Sequence, residues 1–152
     1  MLAAAEPVAD IHVRASALRG IRVPEALVAL AIDEFPAFFI AAAAAEGQTV
    51  VTGASELRVK ESDRLATMAQ GLSTLGVPCQ LLPDGLTIQG MGARQFGGGR
   101  IDSHGDHRIA MAFAIASLRA SAPIQIDDVA NVATSFPGFV GLAQAVGLAL
   151  RD

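Results

Sequence analysis

At 152 residues the chain has the length of one domain, able to bury roughly 70% of the surface its unfolded form exposes. A composition 52% apolar and 17% charged, with no Trp or Tyr, argues against disorder and for a compact α/β or helical domain. The formal charge of −4 and the few aromatics argue against a nucleic-acid partner or an anionic membrane, so any anion site must be built from individually placed cations.

From Met1 to Pro7 there is no basic region, and the apolar stretch is too short for a secretory signal. Residues 10–14 and 20–23 alternate as strands do, with Gly20 and Pro24 as boundaries. Residues 33–46 carry helix signals: an acidic start at Asp33, an early Pro36 and a following Gly47. Within them the longest apolar run, 35–45, has 11 residues; a bilayer core needs about 20, so a buried helix and no membrane span is expected. Residues 48–52 read as a strand, and 57–59 lead into Ser62 as the N-cap of a helix that stops at Gly76. Strands 79–82 and 86–89 flank Pro83-Asp84-Gly85, a hairpin turn. Cys79 reads as a small buried hydrophobe, and one cysteine cannot close an intrachain disulfide, which suits a reducing, cytoplasmic setting.

After Gly97-Gly98-Gly99 the plan restarts: strand 100–102, helix 106–118, strand 124–126 and a helix from Ser135. Asp33 to Ser62 and Asp106 to Ser135 both span 29 residues, an offset of 73. The spacing predicts two repeat units, roughly 20–90 and 98–152, the second without its hairpin. Such units must stack on neighbours to bury their sheet faces. The chain before the first strand supplies no clear element, so the first unit also reads as incomplete.

Charge is concentrated in two places. Arg58-Val59-Lys60-Glu61-Ser62-Asp63-Arg64 holds five charges in seven residues, including the chain's one lysine. At a strand-to-helix turn, free N–H groups and a helix dipole would join these cations to make a phosphate or carboxylate site. The plainer alternative is a solvated face with Glu61 and Arg64 paired three apart. The second place, 102–108, opens the next unit's strongly apolar first helix, so Asp106, His107 and Arg108 mark the polar end of a core element. His104 and His107 with Asp102 and Asp106 allow a metal site, but Arg108 beside them would repel a cation; none is expected. Asp33 is either an N-cap or, with Glu61, one of two carboxylates serving proton transfer.

Four segments, Ala31-Ile32-Asp33-Glu34-Phe35-Pro36, 56–64, Gly105-Asp106-His107-Arg108-Ile109-Ala110-Met111 and Ala133-Thr134-Ser135-Phe136-Pro137, together resemble the motifs of the EPSP synthase (3-phosphoshikimate 1-carboxyvinyltransferase) family, in family order. The resemblance covers about residues 7–150. It implies an incomplete α/β fold of repeated strand-helix units, the pseudo-threefold, inside-out α/β barrel of the enolpyruvyl transferases. Family members have two domains of three units each, with substrates in the cleft between them, so residues 1–152 would be a C-terminal portion holding about two of three repeats of one domain.

The resemblance further implies transfer of the enolpyruvyl group of phosphoenolpyruvate to the 5-hydroxyl of shikimate 3-phosphate, on the route to chorismate and the aromatic amino acids, with no cofactor. By motif, Asp33 would accept the hydroxyl proton and Glu61 would protonate the methylene carbon. Lys60 would sit at the shikimate 3-phosphate, and Arg64 and Arg108 would clamp phosphoenolpyruvate as planar bidentate donors. His107 would stand one layer behind them. Many members have lysine where this chain has Thr134, a variant associated with glyphosate tolerance. The family's amino-terminal lysine, phosphate-binding serines and opposite-domain arginine have no counterpart, so the partner expected is the enzyme's N-terminal portion, and the chain alone is expected to be inactive. Other readings are a UDP-sugar enolpyruvyl transferase and a non-catalytic subunit or vestigial domain.

Overall fold

The computed structural model of the chain describes residues 8–151. Its helices are α1 (Glu25–Val28), α2 (Phe35–Ala44), α3 (Arg64–Thr74), α4 (His107–Ala116), α5 (Ala130–Ser135) and α6 (Phe139–Ala145). Its strands are β1 (Glu46–Val51), β2 (Cys79–Leu82), β3 (Gly85–Met91), β4 (Gly99–Asp102) and β5 (Ile124–Asp127). β1, β3 and β2 form an antiparallel sheet in that order, and β4 pairs with β5 in parallel. The hairpin closes where Leu82 faces Gly85 across Pro83-Asp84.

Several expected elements differ in detail. Residues 10–14 are not a strand, and Ile11 and Val13 lie exposed; alternation makes a strand only where another strand takes the backbone hydrogen bonds. Downstream, 20–23 runs beside β1 but is joined to it by parallel bridges only at Arg19 and Arg22. The helix expected over 33–46 starts at Phe35, after a 3-10 segment (Ala29–Glu34) broken at Ala31, where φ is −120° and ψ 21°. Pro36, with no N–H to donate, fits only the first turn of α2. The stretch Glu25–Ala44 has 20 residues and enough apolar character to cross a membrane by length and composition, but this break divides it, and α2 buries Phe39, Ala42 and Ala43 in the core.

Before α3 stands a 3-10 turn (Ser55–Val59) in place of an extended lead-in. Asp63, not Ser62, is the N-cap, accepting from the N–H of Ala66 at 3.0 Å. Gly76, at φ 76°, ends the helix in the left-handed region that side chains avoid. The helix expected from Ser135 is two: α5 ends there, and α6 begins at Phe139 after Pro137, which keeps Phe136 out of the helical region at φ −139° and ψ 78°. Cys79 is half-buried, its thiol pointing at the carbonyl of Ala69.

The core lies where α2, α3 and α4 meet the antiparallel sheet: Phe39, Leu65, Met68, Leu72, Ile88 and Phe113 are fully buried. Packing of α2 and α3 on α4 sets the N-terminal ends of α3 and α4 beside the turn that precedes α2. Those three chain segments carry the charged clusters.

Candidate active site

Arg64 is the first residue of α3, and its side chain turns inward until only 1% is exposed. A guanidinium this deep must satisfy its donors inside the protein. Its Nε donates to Oδ2 of Asp106 at 2.7 Å, and Nη2 lies 3.4 Å from Oδ1. Asp106, itself 0% exposed, is the N-cap of α4, and its Oδ1 also accepts from the backbone N–H groups of Arg108 at 3.0 Å and Ile109 at 3.5 Å. The hydroxyl of Ser62 donates to Oδ2 at 3.1 Å. Ser62 therefore serves not as a cap but as a further donor to the Asp106 carboxylate.

The outer edge of Arg64 faces the solvent side. Nη1 donates to Oδ1 of Asp33 at 3.0 Å, and Nη2 to Oε2 of Glu61 at 2.5 Å. Around Asp33 stand Lys60, with Nζ 3.7 Å from Oδ1, and Arg108, with Nη2 3.9 Å from Oδ2. Arg108 also donates to the backbone oxygen of Asp33 at 3.0 Å, and Lys60 to Glu56 at 2.5 Å. Five of the six residues expected from sequence thus converge. The sixth, His107, opens α4 half-buried and is outside this set of contacts among the described residues. Arg58 is spent on structure, donating to the carbonyls of Leu82 and Pro83 and to Asp63, which ties the hairpin tip to the start of α3.

Asp33 is not a cap. The N-cap position of α2 belongs to Glu34, which leaves the Asp33 carboxylate free to face three cations. Burial raises its pKa, but the charges of Arg108 and Lys60 and the hydrogen bond from Arg64 hold it below the usual carboxylate value. At Asp106 burial acts in the same upward direction and is outweighed by Arg64, so that carboxyl too stays depressed. For Arg64 burial disfavours the charge, and Asp106, Glu61 and Asp33 more than restore it. For Lys60 the hydrogen bond to Glu56 is the largest cause of a raised pKa. All four groups are therefore ionised near neutral pH.

Beside Asp33 and Arg108 a cleft of about 180 Å³ runs between α2 and α4, floored by Pro36, Ile40, Met111 and Ile115. A larger groove, about 890 Å³, lies on the other side of α4 among Phe113, Ile124, Val132, Phe136 and Phe139. It is apolar, and none of the converging charges lines it.

A guanidinium fixed from behind, with two carboxylates and two further cations at its open edge, is equipped to hold an anion and move protons next to it. The family model described as EPSP synthase (3-phosphoshikimate 1-carboxyvinyltransferase) matches residues 2–142. The chain belongs to the EPSP synthase family. Among its relatives, the 3-phosphoshikimate 1-carboxyvinyltransferase of Alkalilimnicola ehrlichii is 63% identical over 145 residues, covering 95% of this chain and 32% of the relative. That of Xanthomonas axonopodis pv. citri is 66% identical over 146 residues, covering 96% and 32%. A solved EPSP synthase from Acinetobacter baumannii superposes with a TM-score of 0.84 at 58% identity, over 86% of this chain and 31% of that one. The chain thus spans about a third of the length of the EPSP synthases it matches.

Sequence reasoning did not count Asp106 or Ser62 among the site residues. The signal available was the polar start of an otherwise apolar helix; an N-cap and a buried ion-pair partner look alike in sequence.

Proposed function

We propose that this chain supplies one wall of an EPSP synthase active site, completed by the part of the enzyme that lies outside these 152 residues. The reaction is transfer of the enolpyruvyl group from phosphoenolpyruvate to the 5-hydroxyl of shikimate 3-phosphate, in the cytoplasm, on the route to chorismate. The observation that carries the reading is the convergence of Asp33 and Glu61 on the outer edge of Arg64, with Lys60 and Arg108 alongside. The two strand-helix units act as two of three repeats of one domain.

In this reading the phosphoenolpyruvate anion takes the place of Asp33 and Glu61 on Arg64, and Arg108 supplies the second fork. Displacement frees both carboxylates for chemistry. The incoming negative charge also offsets the cations that depress Asp33, which makes it a better base. Asp33 removes the proton of the 5-hydroxyl as its oxygen attacks C2 of phosphoenolpyruvate, and Glu61, taking up a proton from solvent once it has left Arg64, delivers that proton to C3. The tetrahedral intermediate then loses phosphate, which carries off the proton held by Asp33, while the methyl carbon returns a proton to Glu61 and the enolpyruvyl double bond re-forms. Lys60, which already bridges Glu56 and Asp33, is placed to meet the shikimate phosphate.

The test mixes this chain with the remaining portion of the Alkalilimnicola ehrlichii relative and follows phosphate release from the two substrates. Turnover is expected only in the mixture, and Asp33→Asn or Glu61→Gln should lower kcat by about 10²–10⁴-fold. No turnover from two pieces shown to be folded and associated overturns the reading.

A further inference from the structure

We infer that Asp106 is the positioning residue of the anion clamp: one buried carboxylate that fixes the guanidinium of Arg64 and the start of the helix bearing Arg108 in a single spacing. The inference rests on the enolpyruvyl-transfer reading for its kinetic consequence.

The two oxygens of Asp106 accept five hydrogen bonds. Nε and Nη2 of Arg64 reach them from α3, Ser62 from the turn before it, and the N–H groups of Arg108 and Ile109 from α4. Arg64 and Arg108 are 44 residues apart on helices whose own packing tolerates shifts that a bidentate clamp does not, since positioning errors near 1 Å cost large factors in rate. Asp106 removes that freedom, because it bonds the side chain of one arginine and the backbone of the other. Its grip takes the Nε edge of Arg64, so the Nη edge is left facing Asp33, Glu61 and incoming anions. Arginine presents two donor edges in a rigid plane, and holding one orients the other. Asp106 is too deeply buried to meet substrate itself; its effect passes through Arg64.

Two readouts test this. On the full 152-residue chain, the Arg64 Nε–H resonance should exchange slowly with water, and Asp106→Asn should accelerate that exchange about tenfold or more while Asp33→Asn does not. In the reconstituted enzyme, Asp106→Asn should raise KM for phosphoenolpyruvate about tenfold with kcat changed less than about threefold. Added to Arg64→Lys, it should contribute less than about twofold more, because the residue through which it acts is already altered. If Asp106→Asn does not fold, Ser62→Ala, which removes one donor to the same carboxylate, should move KM in the same direction by about two- to threefold.

Arg64 Nε–H exchanging as fast as an exposed arginine overturns the inference. So does an Asp106→Asn effect on KM that is undiminished in the Arg64→Lys background. Inactivity of every reconstituted mixture counts against the enolpyruvyl-transfer reading instead, and the exchange measurement alone then decides for or against the Asp106 grip.

Discussion

Asp33 and Asp106 stand 73 residues apart, each just ahead of an apolar helix, and they have opposite fates. Asp106 is sealed from solvent, caps α4 and grips Arg64. Asp33 keeps 46% of its side chain exposed, caps nothing and meets the same arginine at its open edge. The difference originates in neither aspartate. Arg64 starts α3 in the first half of the chain, and the position 73 residues later is Pro137, which cannot reach back to either carboxylate. A single cation shared between two like positions makes one of them an anchor and leaves the other available for chemistry.

The largest effect that can break this comparison is on stability. Asp106→Ala should cost about 3–5 kcal/mol, because it leaves the Arg64 guanidinium buried without the one partner that is itself fully buried. Asp33→Ala, at a half-exposed ion pair, should cost about 0–1 kcal/mol. Urea unfolding of the two variants measures both, and equal losses would end the distinction. The contrast sharpens in acid. The Asp106 pKa is depressed in the folded state, so its contribution is in full force above the unfolded value of about 3.9 and is lost as pH falls through the lower folded value. The native chain should therefore lose stability more steeply on acidification than Asp106→Ala, whose midpoint no longer contains that titration.

How much of this could be read beforehand divides along physical lines. The hairpin around Pro83-Asp84-Gly85 and the stop at Gly76 were legible, since turn chemistry is local. The helix starts were misplaced wherever two residues competed for one role. Asp33 and Ser62 are both good cap types, yet α2 has Glu34 at its cap position and Asp63 caps α3, because the Asp33 carboxylate and the Ser62 hydroxyl have partners distant in sequence. Residues 10–14 alternate as a strand does but have no partner strand among the described residues, and alternation says nothing about pairing. At the site, charge clustering marked Lys60, Glu61, Arg64 and Arg108, Asp33 stood out as a second carboxylate at a helix start, and the family resemblance implied a role for each. That Asp33 and Arg64, 31 residues apart, touch one another is a tertiary fact that spacing does not contain.

Effects smaller than that of Asp106→Ala come from two helix glycines in the two halves, and they should differ in sign. A methyl group added at Gly71 in α3 would lie 2.2 Å from the ring of Phe113 on α4, inside the fully packed core, so Gly71→Ala should destabilise by about 1–3 kcal/mol despite its better helix propensity. A methyl group added at Gly141 in α6 would meet nothing within 4 Å outside its own helix backbone among the described residues, and the residue is exposed. There Gly141→Ala should stabilise by about 0.5–1 kcal/mol through chain entropy alone. Thermal unfolding of both variants reads the signs directly. A stabilising Gly71→Ala would mean that the α3–α4 contact is looser than the burial of Phe113 requires, and with it the spacing that Asp106 is inferred to hold. A destabilising Gly141→Ala would mean instead that α6 is covered in solution, so that the second half of the chain is packed as tightly as the first.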